Sequence, residues 1–232
     1  MCRMFAYKGN SQEELNNLYN ALKESARNDT IGSKFGYANH PDGFGYVIYN
    51  GQNIYYYRSE NPIYEENVKL PEVTGDMYAI FLARKASGKK HMGVMYSHPF
   101  MDDYSNNLIY LAHNGSVSED ELKKELNYRY DASDSELALK YISKYGINSD
   151  TINNLMKNYT TSSLNLLMLS ISKTDKKRSL YYLNYYINKD KHEYSDMYKV
   201  HLTHGDAVIS STLRLHGINT DEKVPFGKLM EL

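Results

Sequence analysis

Two apolar runs in the middle of the chain limit the possible folds more than any other feature of the sequence. Residues 77–84 are almost entirely apolar and end on Arg84, and residues 108–112 form a second such run that leads into Asn114 and Gly115. An unbroken apolar run of this length is typical of a strand that is covered on both faces. The sequence therefore predicts a layered fold in which polar side chains lie where buried strands end.

The other predicted elements separate helices from strands along the chain. A Ser followed three positions later by Glu is the capping-box pattern, and it predicts that Ser11, Ser118 and Ser133 cap helices. Ser149 is expected to cap a short further helix that ends near Asn158. Asn50-Gly51 between apolar runs predicts a hairpin. Strands are predicted over residues 2–7, 44–49, 54–58, 164–172, 180–187, 198–203 and 207–211. This order predicts an α+β fold with mostly antiparallel sheets, in one domain over residues 1–232.

Composition excludes several classes of function. Lys and Arg total 27 against 28 Asp and Glu, so the net charge of −1 offers no cationic face for nucleic acid. No apolar run approaches the roughly 20 residues that span a bilayer, so we expect no membrane partner. A single cysteine permits no internal disulfide, which suits a cytoplasmic location. The 24 Tyr residues are interpreted as core and strand residues rather than as stacking platforms for sugars or bases.

Cys2 is the candidate nucleophile. Removal of Met1 would give this residue a free α-amino group, whose ordinary pKa of about 7.7–8 suits a base that accepts the thiol proton. Asn114 and Gly115 could donate to an oxyanion, Arg84 could bind a carboxylate in a bidentate fork, and Asp134 could hold an ammonium group. Such a pocket would fit an amino acid whose side-chain carbonyl reaches Cys2.

Each of these residues also has a structural interpretation. Cys2 could be there only because a small second residue permits processing, and Asn114-Gly115 could be a turn. Asp134 at a helix start would stabilise the helix dipole in any case, and Arg84 could pair with a surface acid. His98 and His113 are expected to pack or to support the site, because the sequence lacks a tight cluster of metal ligands. We therefore expect no metal and no cofactor.

Taken in order along the chain, several segments resemble motifs of the class II glutamine amidotransferase domain, a branch of the N-terminal-nucleophile hydrolases. These segments are Met1-Cys2-Arg3-Met4-Phe5-Ala6-Tyr7, His40-Pro41-Asp42-Gly43-Phe44-Gly45-Tyr46, Leu82-Ala83-Arg84-Lys85-Ala86-Ser87, His98-Pro99-Phe100, Leu111-Ala112-His113-Asn114-Gly115, Ser133-Asp134-Ser135-Glu136 and Val224-Pro225-Phe226-Gly227-Lys228-Leu229. The resemblance implies an αββα sandwich of four layers and hydrolysis of the glutamine side-chain amide through a glutamyl thioester.

The resemblance also assigns roles, position by position. It implies that Cys2 is the nucleophile and its α-amine the base, and that Asn114 and Gly115 form the oxyanion hole. The remaining motif residues would bind the substrate: Arg84 its α-carboxylate, Asp134 its α-ammonium, and Ser87 a position near the carboxylate.

Two departures from the family pattern lie in the segment expected to bind the substrate. Ala83 stands where the family often has His or Thr, and Gly88-Lys89-Lys90-His91 replaces part of a familiar loop.

A third difference leaves alternatives for the function. Many members are fused to a synthase that consumes the ammonia, for which 232 residues leave no room. We therefore expect either a separate ammonia-accepting synthase subunit or a stand-alone hydrolase of a γ-glutamyl conjugate. A third alternative is a catalytically idle binding or regulatory domain that retains Met1.

Overall fold

The computed structural model describes residues 2–88 and 90–232, so the predicted removal of Met1 lies outside the described residues. Its strands form two sheets. The first has six strands in the order β3-β2-β4-β1-β10-β9, and the second has five in the order β11-β8-β7-β6-β5. Every neighbouring pair within the sheets is antiparallel. The strands are β1 (Arg3–Gly9), β2 (Phe44–Tyr49), β3 (Ile54–Ser59), β4 (Met77–Ala83), β5 (Phe100–Tyr104), β6 (Asn107–Val117), β7 (Thr160–Ser172), β8 (Arg178–Leu183), β9 (Met197–His201), β10 (Gly205–Ser210) and β11 (Met230–Glu231).

Helices cover the outer faces of both sheets. They are α1 (Gln12–Arg27), α2 (Thr30–Ser33), α3 (Glu119–Leu126), α4 (Asp134–Tyr145), α5 (Ser149–Asn154) and α6 (His192–Ser195). Shorter 3₁₀ segments cover Val94–Tyr96, Lys189–Lys191 and Ser211–His216, and a π-helical turn covers Leu155–Tyr159. None of the helices within residues 2–88 and 90–232 combines the length and the apolar character needed to cross a membrane.

Successive side chains of β1 point to opposite faces of the first sheet, and this alternation explains how the layers of the fold pack. On β1, Phe5 and Tyr7 are buried with the apolar face of α1, whereas Met4 and Ala6 point the other way and pack against Ala112 on the second sheet. The opposite face of the second sheet is covered by the apolar residues of α3, α4 and α5. Alternate side chains of one central strand therefore enter two different cores. The predicted four-layer αββα sandwich is confirmed.

Most predicted elements are confirmed, and a few helix caps and strand ends were wrong. Ser11 and Ser133 cap their helices through the side chain, but Ser118 makes no side-chain capping hydrogen bond within the described part of the chain. Asn148, not Ser149, caps α5 by accepting from Thr151 N at 2.9 Å. The strand expected over 180–187 ends at Leu183. β5 was not predicted, because only its first residue is buried and two of its five residues are Asp, which gives no apolar pattern.

A buried ion pair fixes the start of β1. Arg3 and Asp29 are both fully buried and joined by a short hydrogen bond from Arg3 Nε, with a second from Nη2 at 3.1 Å. His40 Nε2 lies 2.8 Å from Asp29 Oδ2, and the guanidinium stacks 3.7 Å above the ring of Tyr194. Burial alone would raise the pKa of Asp29, but the bond to His40 and the charge of Arg3 outweigh it, so that pKa lies below its usual range. Arg3, which follows Cys2, is therefore anchored on the face of the first sheet that α1 covers.

Candidate active site

A cavity of about 300 Å³ opens where the ends of the two sheets meet. It is lined by the residue before β1, the loop after β4, the end of β6 and the first turn of α4. The cavity brings together five of the sequence-predicted site residues: Cys2, Arg84, Ser87, Gly115 and Asp134. Three histidines also line it: His91, His98 and His113. Asn114 is buried immediately behind its wall. Residues that lie more than 130 positions apart in sequence thus face one space.

Cys2 lies at the start of a central strand. The register of β1 against β4 places Arg3 opposite Ala83, so Cys2 lies beside the loop that begins at Arg84. Its thiol is buried, and Sγ is 4.0 Å from the carbonyl oxygen of Lys85. The main-chain nitrogen of Cys2 donates to Asn114 Oδ1 at 2.7 Å. The two atoms predicted to act as nucleophile and base are therefore both fixed by neighbouring segments.

Gly115 is required where β6 passes close to β7. A Cβ at this position would lie 1.8 Å from the carbonyl oxygen of Ser163, far inside van der Waals contact, so only glycine fits. The register between β6 and β7 shifts between Gly115 and Val117, which is a bulge of the kind found next to active sites. Ser163 Oγ also donates to the carbonyl of Asn114 at 3.1 Å. Asn114 and Gly115 are strand residues here, not the turn that was the structural alternative.

Arg84 is held by main-chain oxygens on two sides. Its Nη2 donates to the carbonyl of His91 at 2.7 Å and its Nη1 to that of Asp42 at 3.4 Å. Asp42 in turn accepts from Ala86 N at 2.8 Å, which ties down the loop that lines the cavity. A guanidinium has five N–H donors, and these contacts use two of them. The structural alternative for Arg84, pairing with a surface acid, is not what these contacts show.

Asp134 is the first residue of α4, and Ser133 caps that helix. The carboxylate is half-buried and accepts from Ser135 N at 2.7 Å and from Val117 N at 3.3 Å. These bonds orient it toward the bulge of β6 while leaving it on the cavity wall. Ser87 lies on the same wall but is exposed, at the opening of the cavity.

His113 supports the wall as a neutral side chain. Burial lowers the pKa of His113, although the nearby Asp134 opposes the shift. Its Nε2 is 3.3 Å from the carbonyl oxygen of Ser163, which can only accept, so Nε2 carries the proton. Nδ1 then accepts from Ser135 Oγ at 2.9 Å. His113 thereby links β7 to the first turn of α4.

Charged residues at the cavity mouth were not anticipated from the sequence. Lys90 Nζ donates to Glu119 at 2.9 Å, and Tyr96 donates to Asp131 at 3.1 Å. These contacts join the loop after β4 to the start of α3 and to the segment before α4. No pattern of spacing connects them, since each pair is more than 25 residues apart.

No group of three or more His, Cys, Asp or Glu within residues 2–88 and 90–232 could hold a metal ion.

Comparison with known proteins identifies the fold. No family model matches the sequence, and no curated protein sequence matches it significantly. Among solved structures, the glutamine phosphoribosylpyrophosphate (PRPP) amidotransferase from B. subtilis, complexed with ADP and GMP, superposes with a TM-score of 0.66 at 16% identity, over 100% of this chain and 47% of that one. A structure described as the allosteric regulatory enzyme of purine biosynthesis gives 0.66 at 17% identity, over 98% of this chain and 46% of the other.

The chain thus spans about half the length of each of these two structures. The resemblance drawn from the motifs is confirmed at the level of the fold: this chain has the two-sheet, helix-flanked fold of a glutamine-dependent amidotransferase.

Proposed function

We propose that this protein hydrolyses the side-chain amide of glutamine, or of a γ-glutamyl compound, through a thioester at Cys2. The observation that carries the proposal is the geometry of Cys2: its thiol lines the cavity, and its main-chain nitrogen is held 2.7 Å from Asn114 Oδ1. A cation and an anion, Arg84 and Asp134, line the same cavity. The fold shared with a glutamine-dependent amidotransferase supports the same assignment.

Acylation begins once Met1 has been removed. The α-amine of Cys2 takes the thiol proton, and the thiolate attacks the amide carbon of the substrate side chain. The C–N bond then breaks, the amide nitrogen takes the proton from the α-ammonium, and ammonia leaves. The product is a thioester between Cys2 and the γ-carbonyl. In the second half a water, deprotonated by the amine, attacks the thioester, releases glutamate and restores the thiol.

The oxyanion of each tetrahedral intermediate needs hydrogen-bond donors. We assign that role to the backbone N–H of Gly115 and the side-chain amide of Asn114. Asn114 Oδ1 accepts from the nitrogen of Cys2, which supports a double function: the oxygen orients the base, and Nδ2 is the donor end. Loss of one such donor costs about 3–4 kcal/mol of transition-state stabilisation in a well-studied protease.

Opposite charges on the wall suit an amino-acid head group. We assign Arg84 to the α-carboxylate and Asp134 to the α-ammonium, with Ser87 near the carboxylate at the cavity opening. Arg84 is fixed by two carbonyls and Asp134 by two backbone N–H groups, so both charges are pre-oriented. Because both side chains are already oriented, less conformational entropy is lost when the substrate binds.

The fate of the ammonia separates two forms of this function. A separate synthase subunit could accept it, or the protein could act alone on a γ-glutamyl conjugate, and the domain over residues 1–232 is compatible with both. A cytoplasmic location would keep the single thiol reduced.

Replacement of Cys2 tests the mechanism. Cys2→Ala keeps a small second residue, so Met1 processing is preserved while the nucleophile is lost. We expect glutamate release from glutamine to fall at least about 10⁴-fold, as when nucleophiles of other hydrolases are removed. Exposed Ser33 lies outside the cavity, and Ser33→Ala is the control. Activity that persists in Cys2→Ala would rule out this mechanism.

Intact-mass measurement and a substrate panel resolve the alternatives. Wild-type protein that lacks Met1 and turns over glutamine supports the amidotransferase-type reaction. Turnover of γ-glutamyl peptides or γ-glutamyl amines without turnover of glutamine supports the stand-alone hydrolase. A retained Met1 turns the α-amine into an amide that cannot act as a base, and together with absent turnover it would support the idle binding domain.

A further inference from the structure

A second cleft, which we call the serine cleft, lies at the opposite end of β6 from the cavity of Cys2. Its volume is about 550 Å³, larger than that of the Cys2 cavity and typical of small-molecule sites. Ile109 of β6 lines the serine cleft, whereas Gly115 of the same strand lines the Cys2 cavity. At about 3.4 Å per strand residue, these two residues are about 20 Å apart. The proposed hydrolysis therefore makes no use of the serine cleft.

Hydroxyl and amide side chains form the floor of the serine cleft on the face of the second sheet that carries α4. Met168 of β7 is buried in the core beneath the helices. Two residues further along, the same face carries Ser170, which pairs with Ser179 of β8, and then Ser172, which pairs with Asn107 of β6. Side chains directly opposite each other on antiparallel strands have Cβ atoms about 5 Å apart. The floor is therefore a compact group of hydroxyls and one amide.

Ser179 is a buried residue of this floor whose hydroxyl has no hydrogen-bond partner in the described part of the chain. It is 9% exposed and lines the serine cleft. Ser143 of α4 also lines the cleft and is 4% exposed, and its Oγ likewise has no partner among residues 2–88 and 90–232. Buried polar groups are nearly always paired. Water or a polar ligand can supply the missing partner of Ser179, and the charge of the cleft indicates which kind of ligand.

The charges that line the serine cleft favour an anion. Lys144 and Lys177 are the only charged residues of its lining within the described residues, and neither forms an ion pair there. A neutral sugar would leave both ammonium groups without a counter-charge. The cleft therefore suits a ligand that carries negative charge and accepts hydrogen bonds.

Acidic residues near the serine cleft are bound to other groups. Asp103 is paired with a lysine of the β7–β8 turn at 2.6 Å, and Glu125 accepts from the hydroxyl of Tyr145 at 2.7 Å. Asp175 accepts from the backbone N–H of Lys177 at 3.1 Å. None of these three carboxylates is part of the described lining. An anion in the cleft would thus face no carboxylate directly.

The C-terminal end of α4 also borders the serine cleft, and its last carbonyl is already bonded. The carbonyl of Tyr145 accepts from Asn148 Nδ2 at 3.1 Å and from Thr151 Oγ1 at 3.2 Å. Lys144 lies in the last turn of α4, where a cation stabilises the helix dipole whether or not a ligand binds. Lys177 precedes β8 and has no such role. Lys177 is therefore the more informative of the two cations.

We propose that the serine cleft binds a small organic phosphomonoester. This group carries close to two negative charges at neutral pH and has three strong acceptor oxygens. Lys177, Ser170 and Ser179 can donate to those oxygens, and charge-assisted hydrogen bonds are the stronger ones. A volume of about 550 Å³ exceeds what a phosphate group needs, and Tyr104 and Tyr181 line the cleft as well. An organic body can pack against their rings.

Calorimetry on the full-length protein at about pH 7.5, above the second phosphate pKa of about 6, tests the proposal. The probes are phenyl phosphate, inorganic phosphate and phenol. We expect phenyl phosphate to bind with a Kd below about 1 mM, inorganic phosphate to bind several-fold more weakly, and phenol not to bind detectably. Lys177→Gln and Ser179→Ala should each weaken phenyl phosphate binding about tenfold, as expected for a lost bond to a charged group. Exposed residues outside the cleft provide the matched controls Lys157→Gln and Ser33→Ala.

Two further readouts locate the probe and separate binding from folding. Because the hydroxyl of Ser179 bonds no described group, Ser179→Ala should weaken binding without lowering the urea midpoint. In NMR of labelled tyrosine rings, saturation with phenyl phosphate should shift Tyr104 and Tyr181 but not Tyr96, which lines the Cys2 cavity. The proposal would be overturned by shifts confined to Tyr96, by unchanged affinity in a folded Lys177→Gln variant, or by no binding at about 10 mM phenyl phosphate.

Every readout is of binding and none is of turnover. The titrations can be repeated on Cys2→Ala protein, so a failure of the proposed hydrolysis leaves their result unchanged. A failure of phenyl phosphate to bind removes the serine cleft as a phosphomonoester site and leaves the hydrolysis proposed for Cys2 untouched.

Discussion

Replacement of Asp29 by alanine should lower the free energy of unfolding by about 3–5 kcal/mol, because it leaves the buried charge of Arg3 without its carboxylate partner. Both side chains are 0% exposed. Asp29 accepts hydrogen bonds from groups on several elements: Arg3 Nε, Arg3 Nη2 at 3.1 Å, His40 Nε2 at 2.8 Å, Gly32 N at 2.6 Å and Thr212 Oγ1 at 2.7 Å. Alanine removes all of these acceptors at once.

The size of this loss follows from comparison with an exposed pair. Lys34 and Glu193 also form a direct ion pair, with 2.8 Å between Nζ and Oε1, but their side chains are 57% and 48% exposed. Water and salt screen such a pair, and its removal costs about 0–1 kcal/mol. A loss of 3–5 kcal/mol would be a large part of the roughly 5–15 kcal/mol that holds a typical domain.

Urea denaturation at neutral pH measures the difference. The folded-state pKa of Asp29 lies below its unfolded value, so its contribution is complete above the ordinary carboxyl pKa of about 4 and is lost as the pH falls further. Glu193→Ala is the matched control. The paired replacement Arg3→Met with Asp29→Leu should recover the part of the loss that comes from the uncompensated charge of Arg3, whereas Gly32 N, His40 and Thr212 stay without the acceptor that Asp29 provided.

Two results would refute this reasoning. One is a loss in Asp29→Ala no larger than that in Glu193→Ala, which would mean that the buried charge finds compensation elsewhere. The other is a paired variant as unstable as Asp29→Ala, which would place the effect in packing and in the lost acceptor of Gly32 N, His40 and Thr212 rather than in the uncompensated charge of Arg3.

Three further predictions concern the cavity. Gly115→Ala forces a Cβ to 1.8 Å from Ser163 O, and the overpacking should destabilise the fold by at least about 1–3 kcal/mol in urea. A loss below about 0.5 kcal/mol, the size of an ordinary surface substitution, would contradict it. Asp134→Asn should raise KM for glutamine about tenfold or more with a smaller effect on kcat, as expected for a lost charged contact; an unchanged KM would contradict the ammonium assignment. His98 is neutral when folded but binds a proton when unfolded below about pH 6.5. Wild-type stability should therefore fall in acid, and His98→Gln should flatten the slope by up to about 1.4 kcal/mol per pH unit; an equal slope in both proteins would contradict the depressed pKa.

Local patterns were sufficient where the physical cause is local. The capping pair Ser11 and Glu14 predicted the start of α1, and Asn50-Gly51 predicted the β2–β3 hairpin. The run 77–84 predicted a central strand, because an unbroken apolar run of this length is typical of a strand covered on both faces. Ser118 occupies the N-cap position of α3 as predicted, but its side chain makes no capping hydrogen bond within the described residues, because the pattern does not fix how the chain enters the helix.

The ordered motifs predicted which residues would meet, but not how each would be held. Sequence order placed Cys2, Arg84, Gly115 and Asp134 at element ends. It could not indicate that the oxygen of Asn114 would face the nitrogen of Cys2, because that contact depends on the packing of the two sheets.

Arg3, Asp29 and His40 show the same limit on the other side of the first sheet. Nothing in their spacing marks them as partners, since an ion pair between distant residues leaves no periodic trace. Their burial follows only once α1 and the segment after it close over β1.

The sequence by itself determined the classes of element, the two-sheet α+β architecture and the residues available for chemistry, because apolar period and capping are properties of neighbours in the chain. The tertiary structure alone decided the state of each group: which carbonyls hold Arg84, which proton His113 keeps, and that His98 is buried without a partner among the described residues. These states depend on burial and on charges brought from distant segments, and both arise only when the layers pack.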